Sequence, residues 1–112
     1  MELTRIFKSS DAENYAVKPL PPHSKINMFY FYVLQSLKDK NLYFGYSDDL
    51  RRRLKEHNDG RVSATKNRRP LECIYYEAYK AKKDARERER QIKRRAKAHI
   101  SLKRRMAHSI SH

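Results

Sequence analysis

Glu89 poses the clearest chemical problem in the sequence. It stands four residues after Ala85, three before Ile92 and seven before Ala96, in a stretch without glycine or proline, so helical spacing puts its carboxylate on the stripe that must face the domain. An inward carboxylate has to be neutralised by an arginine, by a metal ion or by protonation, because an unpaired buried charge costs several kcal/mol. Tyr32 and Tyr43 sit in aromatic, strand-like runs, and Arg53 and His57 are four apart, so they share one helix face. Taken singly, each residue has an ordinary role. Glu89 could form a salt bridge, the tyrosines could pack in a core, Arg53 is one of three consecutive arginines, and His57 suits a helix end.

The chain that must position these groups has 112 residues, enough for one domain and too few for two independent cores. Lys and Arg number 27 against 13 Asp and Glu, a net charge of +14, so the expected partner is a polyanion, with nucleic acid favoured. The excess is concentrated at one end: residues 81–112 hold 12 basic and 3 acidic groups, which points to a directional binding face. Mean hydropathy is low at −1.04, but 8 Tyr and 4 Phe supply rings for a small core. The lone Cys73 excludes an internal disulfide or a Cys-rich zinc site, and no apolar run is long enough for a membrane helix or signal peptide. The expectation is a soluble, cytoplasmic protein that does not engage membranes.

Residues 1–27, with Pro19, Pro21 and Pro22 and no sustained period, read as a flexible N-terminal extension. From Met28 the run FYFYVL predicts a strand covered on both faces, with Tyr30, Tyr32 and Leu34 on one side and Phe29, Phe31 and Val33 on the other. LYFGYS predicts a second strand, antiparallel to the first, whose Gly45 marks a close backbone approach or a bulge. SDDLRRRLKEHNDG predicts a short helix capped by Ser47 or Asp48, acidic in its first turn, stopping at Asn58 and Gly60, with Leu50 and Leu54 inward. After the Arg-rich loop RVSATKNRRP, LECIYYEAY predicts a third strand. From Lys82 to Ala107 the composition predicts one long helix, or two in line, with an inward stripe of Ala85, Ile92, Ala96, His99 and Met106.

In order and spacing, YFY at Tyr30–Tyr32, YFG at Tyr43–Gly45, DLRRRLKEHNDG at Asp49–Gly60 and RERQIK at Arg88–Lys93 resemble the GIY-YIG nuclease family, with SATKNRRPLECIYYEAY similar to its third-strand region. The likeness is to its short, single-domain members, relatives of the nuclease domain of the bacterial excision-repair incision subunit. It implies an α+β fold, a small three-stranded antiparallel sheet flanked by helices with a long basic C-terminal helix, in which residues 28–95 form the nuclease domain and 96–112 a basic helical extension. The chain departs from the pattern in having Tyr30-Phe31 for Gly-Ile and Phe44 for Ile, and in running through RRAKAHISLKRR without a glycine.

Carried over by position, the resemblance makes Tyr32, Tyr43, Arg53, His57 and Glu89 the catalytic set, with Glu89 as the metal ligand. The implied activity is metal-dependent hydrolysis of DNA phosphodiester bonds, structure-directed or weakly sequence-specific, with roles in repair, defence or mobile elements all compatible. Mg²⁺, with Mn²⁺ as the alternative, suits a single carboxylate, waters and a phosphate. Arg53 would share the phosphate's charge through its fork-shaped donors. Tyr32 would act as base or water-positioning group, helped by Tyr43 and His57, and a basic role requires a cation-rich site to lower its pKa from near 10. Lys66, Arg68, Arg69, Arg88, Arg90, Lys93, Arg94 and Arg95 would grip the DNA backbone without reading sequence. RNA is the alternative polyanion, and a non-catalytic nucleic-acid-binding module on the same fold is the alternative function.

Overall fold

The computed structural model describes residues 27–112; the expected N-terminal extension, save Asn27, lies outside them. The β-branched and aromatic run forms strand β1 (Phe29–Ser36), a polar turn follows, and β2 (Leu42–Ser47) returns antiparallel. Helix α1 (Leu50–Asn58), a single 3-10 turn (Lys66–Arg68) and β3 (Leu71–Tyr79) come next, and helices α2 (Lys82–Arg94) and α3 (Ala96–Arg105) complete the chain. The sheet order is β2-β1-β3, antiparallel throughout, so the most apolar strand lies in the centre and is buried from Phe31 to Ser36. A register shift between Val33 and Leu34 accommodates Ile74 as an extra residue in β3.

Alternation along β1 divides the interior in two. Phe31 and Val33 point to one side, where Ile92 of α2 and Leu102 and Met106 of α3 bury them. Tyr32 and Leu34 point to the other, where they pack with Leu71 and with Leu50 and Leu54 of α1. Both faces of the first strand are therefore covered, as its unbroken apolar run requires.

Three local expectations are corrected. The cap of α1 is Asp49, whose carboxylate accepts the Arg52 N–H at 3.1 Å. Ser47 instead accepts the Asp49 N–H at 3.0 Å, one step earlier, and the first turn of α1 holds no acid. The long C-terminal helix is two helices, broken at Arg95, whose backbone is extended (φ −114°, ψ 114°). Arg95 keeps both ladders supplied, its N–H bonding Gln91 O at 2.8 Å and its carbonyl accepting from His99 N at 3.0 Å. The break turns α3 back onto the sheet, so Ala96 on the expected stripe is exposed while Leu102 off it is buried. Residues 96–112 thus complete the core, which continues without interruption past the boundary expected at residue 95.

Candidate active site

Tyr32, at the middle of β1, has a register partner without a side chain. Gly45 stands opposite it, and a Cβ there would lie 2.4 Å from both Cζ and the hydroxyl of Tyr32. The glycine is needed for the close approach anticipated from its place in LYFGYS. The Tyr32 ring, 1% exposed, crosses this gap to meet His57 from the last turn of α1.

His57 is fully buried, unlike the helix-terminal surface histidine that its position alone suggests. Its Nδ1 lies 2.7 Å from Thr65 Oγ1 and its Nε2 2.9 Å from the Tyr32 hydroxyl. In the tautomer with its proton on Nδ1, the imidazole donates to Thr65, which also lies 3.5 Å from the Val62 carbonyl, and Nε2 accepts from Tyr32. Burial and then the nearby Arg53 charge push the His57 pKa down to about 4, so the ring is neutral at physiological pH. Thr65 is a partner of the candidate site that sequence reasoning missed, because nothing in the polar loop SATK distinguishes it.

Tyr32 does not show the lowered pKa that a basic role was expected to require. Burial pushes it up to about 12; Arg53 opposes the rise, and Tyr43 and Glu89 add to it. The cation supply at the hydroxyl is one arginine, too little to outweigh desolvation. What the site offers instead is a neutral hydroxyl within hydrogen-bond distance of a neutral imidazole nitrogen.

Of the remaining predicted members, Tyr43 and Arg53 lie beside this pair, and Glu89 belongs to the helix on the other face of the sheet. The Tyr43 ring lies edge-on to His57 at 5.1 Å and tilted to Tyr32 at 6.5 Å. Arg53, one turn before His57, is half-buried and bonds Glu56 Oε1 at 3.0 Å. Glu89 is close enough to raise the pKa of both Tyr32 and Tyr46, although α2 packs on the opposite face of the sheet. Glu89 is 21% exposed and pairs with Lys93 of its own helix at 3.0 Å, so the salt bridge is made to a lysine one turn on. Among the described residues no group of three or more His, Cys, Asp or Glu side chains could hold a metal ion. A hard cation here would rest on Glu89 alone, a set that suits an ion keeping most of its waters.

The eight cations expected to grip DNA divide into two groups. Arg88 is committed internally, its guanidinium bonding both oxygens of Glu77 at 2.9 and 3.1 Å and lying 5.9 Å from the Phe31 ring. Burial pushes Glu77 up, but Arg88, Tyr75 and Tyr79, which all donate to it, hold its carboxyl below the usual range. Arg68 is likewise tied, to Asp39 at 3.1 Å and to the Leu42 carbonyl. Arg69 bonds the Lys66 carbonyl and sits against Gly60, where φ is +79°. Arg90 pairs with Glu87 and Lys93 with Glu89, both on the surface of α2. Lys66, Arg94 and Arg95 are exposed.

With this geometry in place, residues 28–105 match the GIY-YIG catalytic domain. The chain belongs to the GIY-YIG family. It is also 38% identical over 96 residues to a UPF0213 protein of Lactiplantibacillus plantarum, covering 83% of this chain and 93% of that one. A UPF0213 protein of Pediococcus pentosaceus is 43% identical over 74 residues (65% and 77% of the two chains). UPF0213 protein YazA of Bacillus subtilis is 45% identical over 60 residues (53% and 60%). No solved structure matches the chain. A GIY-YIG domain carries a nuclease-type function on nucleic acid, and the family generally depends on a metal ion. The match runs through α3 to residue 105, in agreement with the place of Leu102 in the GIY-YIG core. No helix among the described residues is long and apolar enough to cross a membrane.

Proposed function

We propose that this protein is an endonuclease that hydrolyses DNA phosphodiester bonds with the help of one divalent ion held by Glu89, acting in the cytoplasm. The observation that carries the proposal is the hydrogen-bonded chain from Tyr32 through neutral His57 to Thr65. Core packing alone would not require a tyrosine hydroxyl and a buried imidazole to be matched donor to acceptor beside an arginine.

Water attacks phosphorus as its proton passes to the Tyr32 oxygen, and Tyr32 releases its own proton to His57 Nε2. Neither step leaves a free phenolate, so the raised pKa of Tyr32 is no obstacle. The substrate itself makes His57 a better acceptor. An incoming phosphodiester competes with Glu56 for Arg53, and its negative charge offsets the arginine charge that helps hold the His57 pKa at about 4. Arg53 then stabilises the charge that builds on the phosphoryl oxygens, and Tyr43 holds the imidazole plane against Tyr32. The leaving oxygen takes a proton from solvent. Mg²⁺ bound at Glu89 would supply Lewis-acid stabilisation of the same oxygens.

Lys66, Arg90, Arg94 and Arg95 are proposed to hold the backbone on either side of the cut, whereas Arg68 and Arg88 serve the fold. The test is cleavage of labelled duplex, branched and single-stranded DNA in Mg²⁺ or Mn²⁺, beside folded Glu89→Ala and Tyr32→Phe proteins. Metal-dependent cleavage lost in both variants is the expected result. A wild-type protein that binds every substrate and cuts none would be a binding module.

A further inference from the structure

Strand β2 is an edge of the sheet, with no partner beyond it. At its hairpin end lies a cleft of about 460 Å³, lined by Leu42 and Phe44 of β2, Lys40 of the turn, His99 and Lys103 of α3, and Ser111 of the C-terminal tail. The β1–β2 turn with the start of β2, α3 and the C-terminal tail build it, and one buried side chain clamps the turn to the tail. Gln35, fully buried, donates from Nε2 to the Lys40 carbonyl at 3.0 Å and to the Ser111 carbonyl at 2.6 Å, and its Oε1 accepts the Ser111 N–H at 2.8 Å. The clamp holds the turn in a conformation that costs Lys40 a positive φ of 66°. His99 is fixed edge-on against Phe44 at 5.1 Å. Asn41, Ile110 and His112 complete its wall, and its cationic side chains are Lys40 and Lys103.

From this architecture we infer a second phosphate subsite, in which Lys40, Lys103 and His99 take a backbone phosphate of the same DNA strand that is cut. The inference rests on the endonuclease reading for the strand's path and on the charge and shape of the cleft for its occupant. Gly45, at the candidate active site, and Leu42, at the cleft, are three residues apart on one edge strand. That separation is about 10 Å at the rise of a strand, a span of a few nucleotides at about 3.4 Å each. Glu89 and the cleft lie on the same side of the sheet, because α2 and α3 pack on one face. A strand that leaves the Tyr32–His57 face over the open edge of β2 would therefore reach the side of Glu89 and the cleft within a few nucleotides.

The experiment is DNA binding in the presence of EDTA, which prevents cutting, followed by anisotropy of a short fluorescein-labelled duplex over a range of salt. The variant is Lys40→Gly with Lys103→Ala. Glycine accepts the positive φ at position 40 and Lys103 is exposed on a helix, so both changes remove charge while leaving the fold intact. The control is Lys80→Ala with Lys82→Ala, two exposed cations just after β3, the opposite edge strand of the sheet.

If both lysines contact phosphate, the slope of log affinity against log salt falls by about 1.8, at about 0.9 per contact, and affinity at low salt drops several-fold. The control then keeps the wild-type slope. An unchanged slope in the cleft variant, or an equal fall in the control, would overturn the inference, since the cations would then act only through the overall field. Lys103→Ala alone should give about half the effect. Because binding is read without metal, absent cleavage would fail the endonuclease reading and leave this result standing, and an unchanged slope would do the reverse.

Discussion

The two faces of this small sheet are built from alternate residues of one strand, yet they obey different rules. On the α2 and α3 side, Phe31 and Val33 meet Ile92, Leu102 and Met106 in an apolar cluster, with the fully buried Gln35 bonded to the Ser111 backbone beside it. On the α1 side, Tyr32 stands next to Leu34 but spends its hydroxyl on His57, and His57 spends its second nitrogen on Thr65. The first face stabilises by excluding water. The second holds a proton in a defined place, and no buried side-chain nitrogen or oxygen among the described residues lacks a partner. The contrast shows how a domain of this size separates stability from chemistry: a shift of one residue along β1 exchanges one for the other.

The strongest way to break that separation is a matched pair of substitutions. Tyr32→Phe keeps the ring and removes the proton donor, so cleavage should fall by about 10²–10⁴-fold, with a stability loss of about 1–3 kcal/mol for the unpartnered His57 nitrogen. Leu102→Ala on the other face should cost about 2–5 kcal/mol of stability, measured by urea unfolding, while cleavage per folded molecule stays at the wild-type rate. If both variants lost activity and stability together, the two faces would not be separable.

Acid sharpens the comparison. The folded pKa of His57, about 4, lies below its ordinary value of 6.5, so the unfolded chain binds the proton more readily and stability falls as pH falls. The contribution is fully present above pH 6.5 and is lost progressively toward pH 4, on the order of 3 kcal/mol in all. Urea unfolding of wild type against His57→Gln between pH 7 and 4 should show the extra slope in the wild type only. A smaller effect belongs to Gly45→Ala. Its methyl group would displace the Tyr32 hydroxyl from His57, costing about 1–3 kcal/mol, and cleavage should fall with it. Retained activity there would mean that the ring can move without loss of the proton path.

The sequence made some of this legible and concealed the rest for physical reasons. Alternation in FYFYVL separates Tyr32 from Phe31 because a strand has a period of two and both faces of this one are apolar. Helical spacing singled out Glu89, and the family resemblance brought Tyr32, Tyr43, Arg53 and His57 together. Burial of His57 could not be read from α1 alone, because it depends on Thr65, eight residues on in a loop with no periodicity. The break at Arg95 has no glycine or proline to announce it and conserves the hydrogen bonding of both helices, so composition reads straight through. Of the basic residues, those held by Glu77 and Asp39 look like the rest in sequence, since their partners lie 11 and 29 positions away.

The open edge of β2 carries one more implication. An unpaired strand edge invites a strand from another molecule, and natural sheets guard against this with charge and brevity. This edge has only six residues, flanked by Lys40 at its start and by Arg86, 5.4 Å above the Tyr46 ring, at its end. The cations positioned to receive a nucleic acid would also repel a second copy of the protein. Substrate affinity and resistance to self-association would then draw on the same few charges, and neutralising them to weaken one would expose the chain to the other.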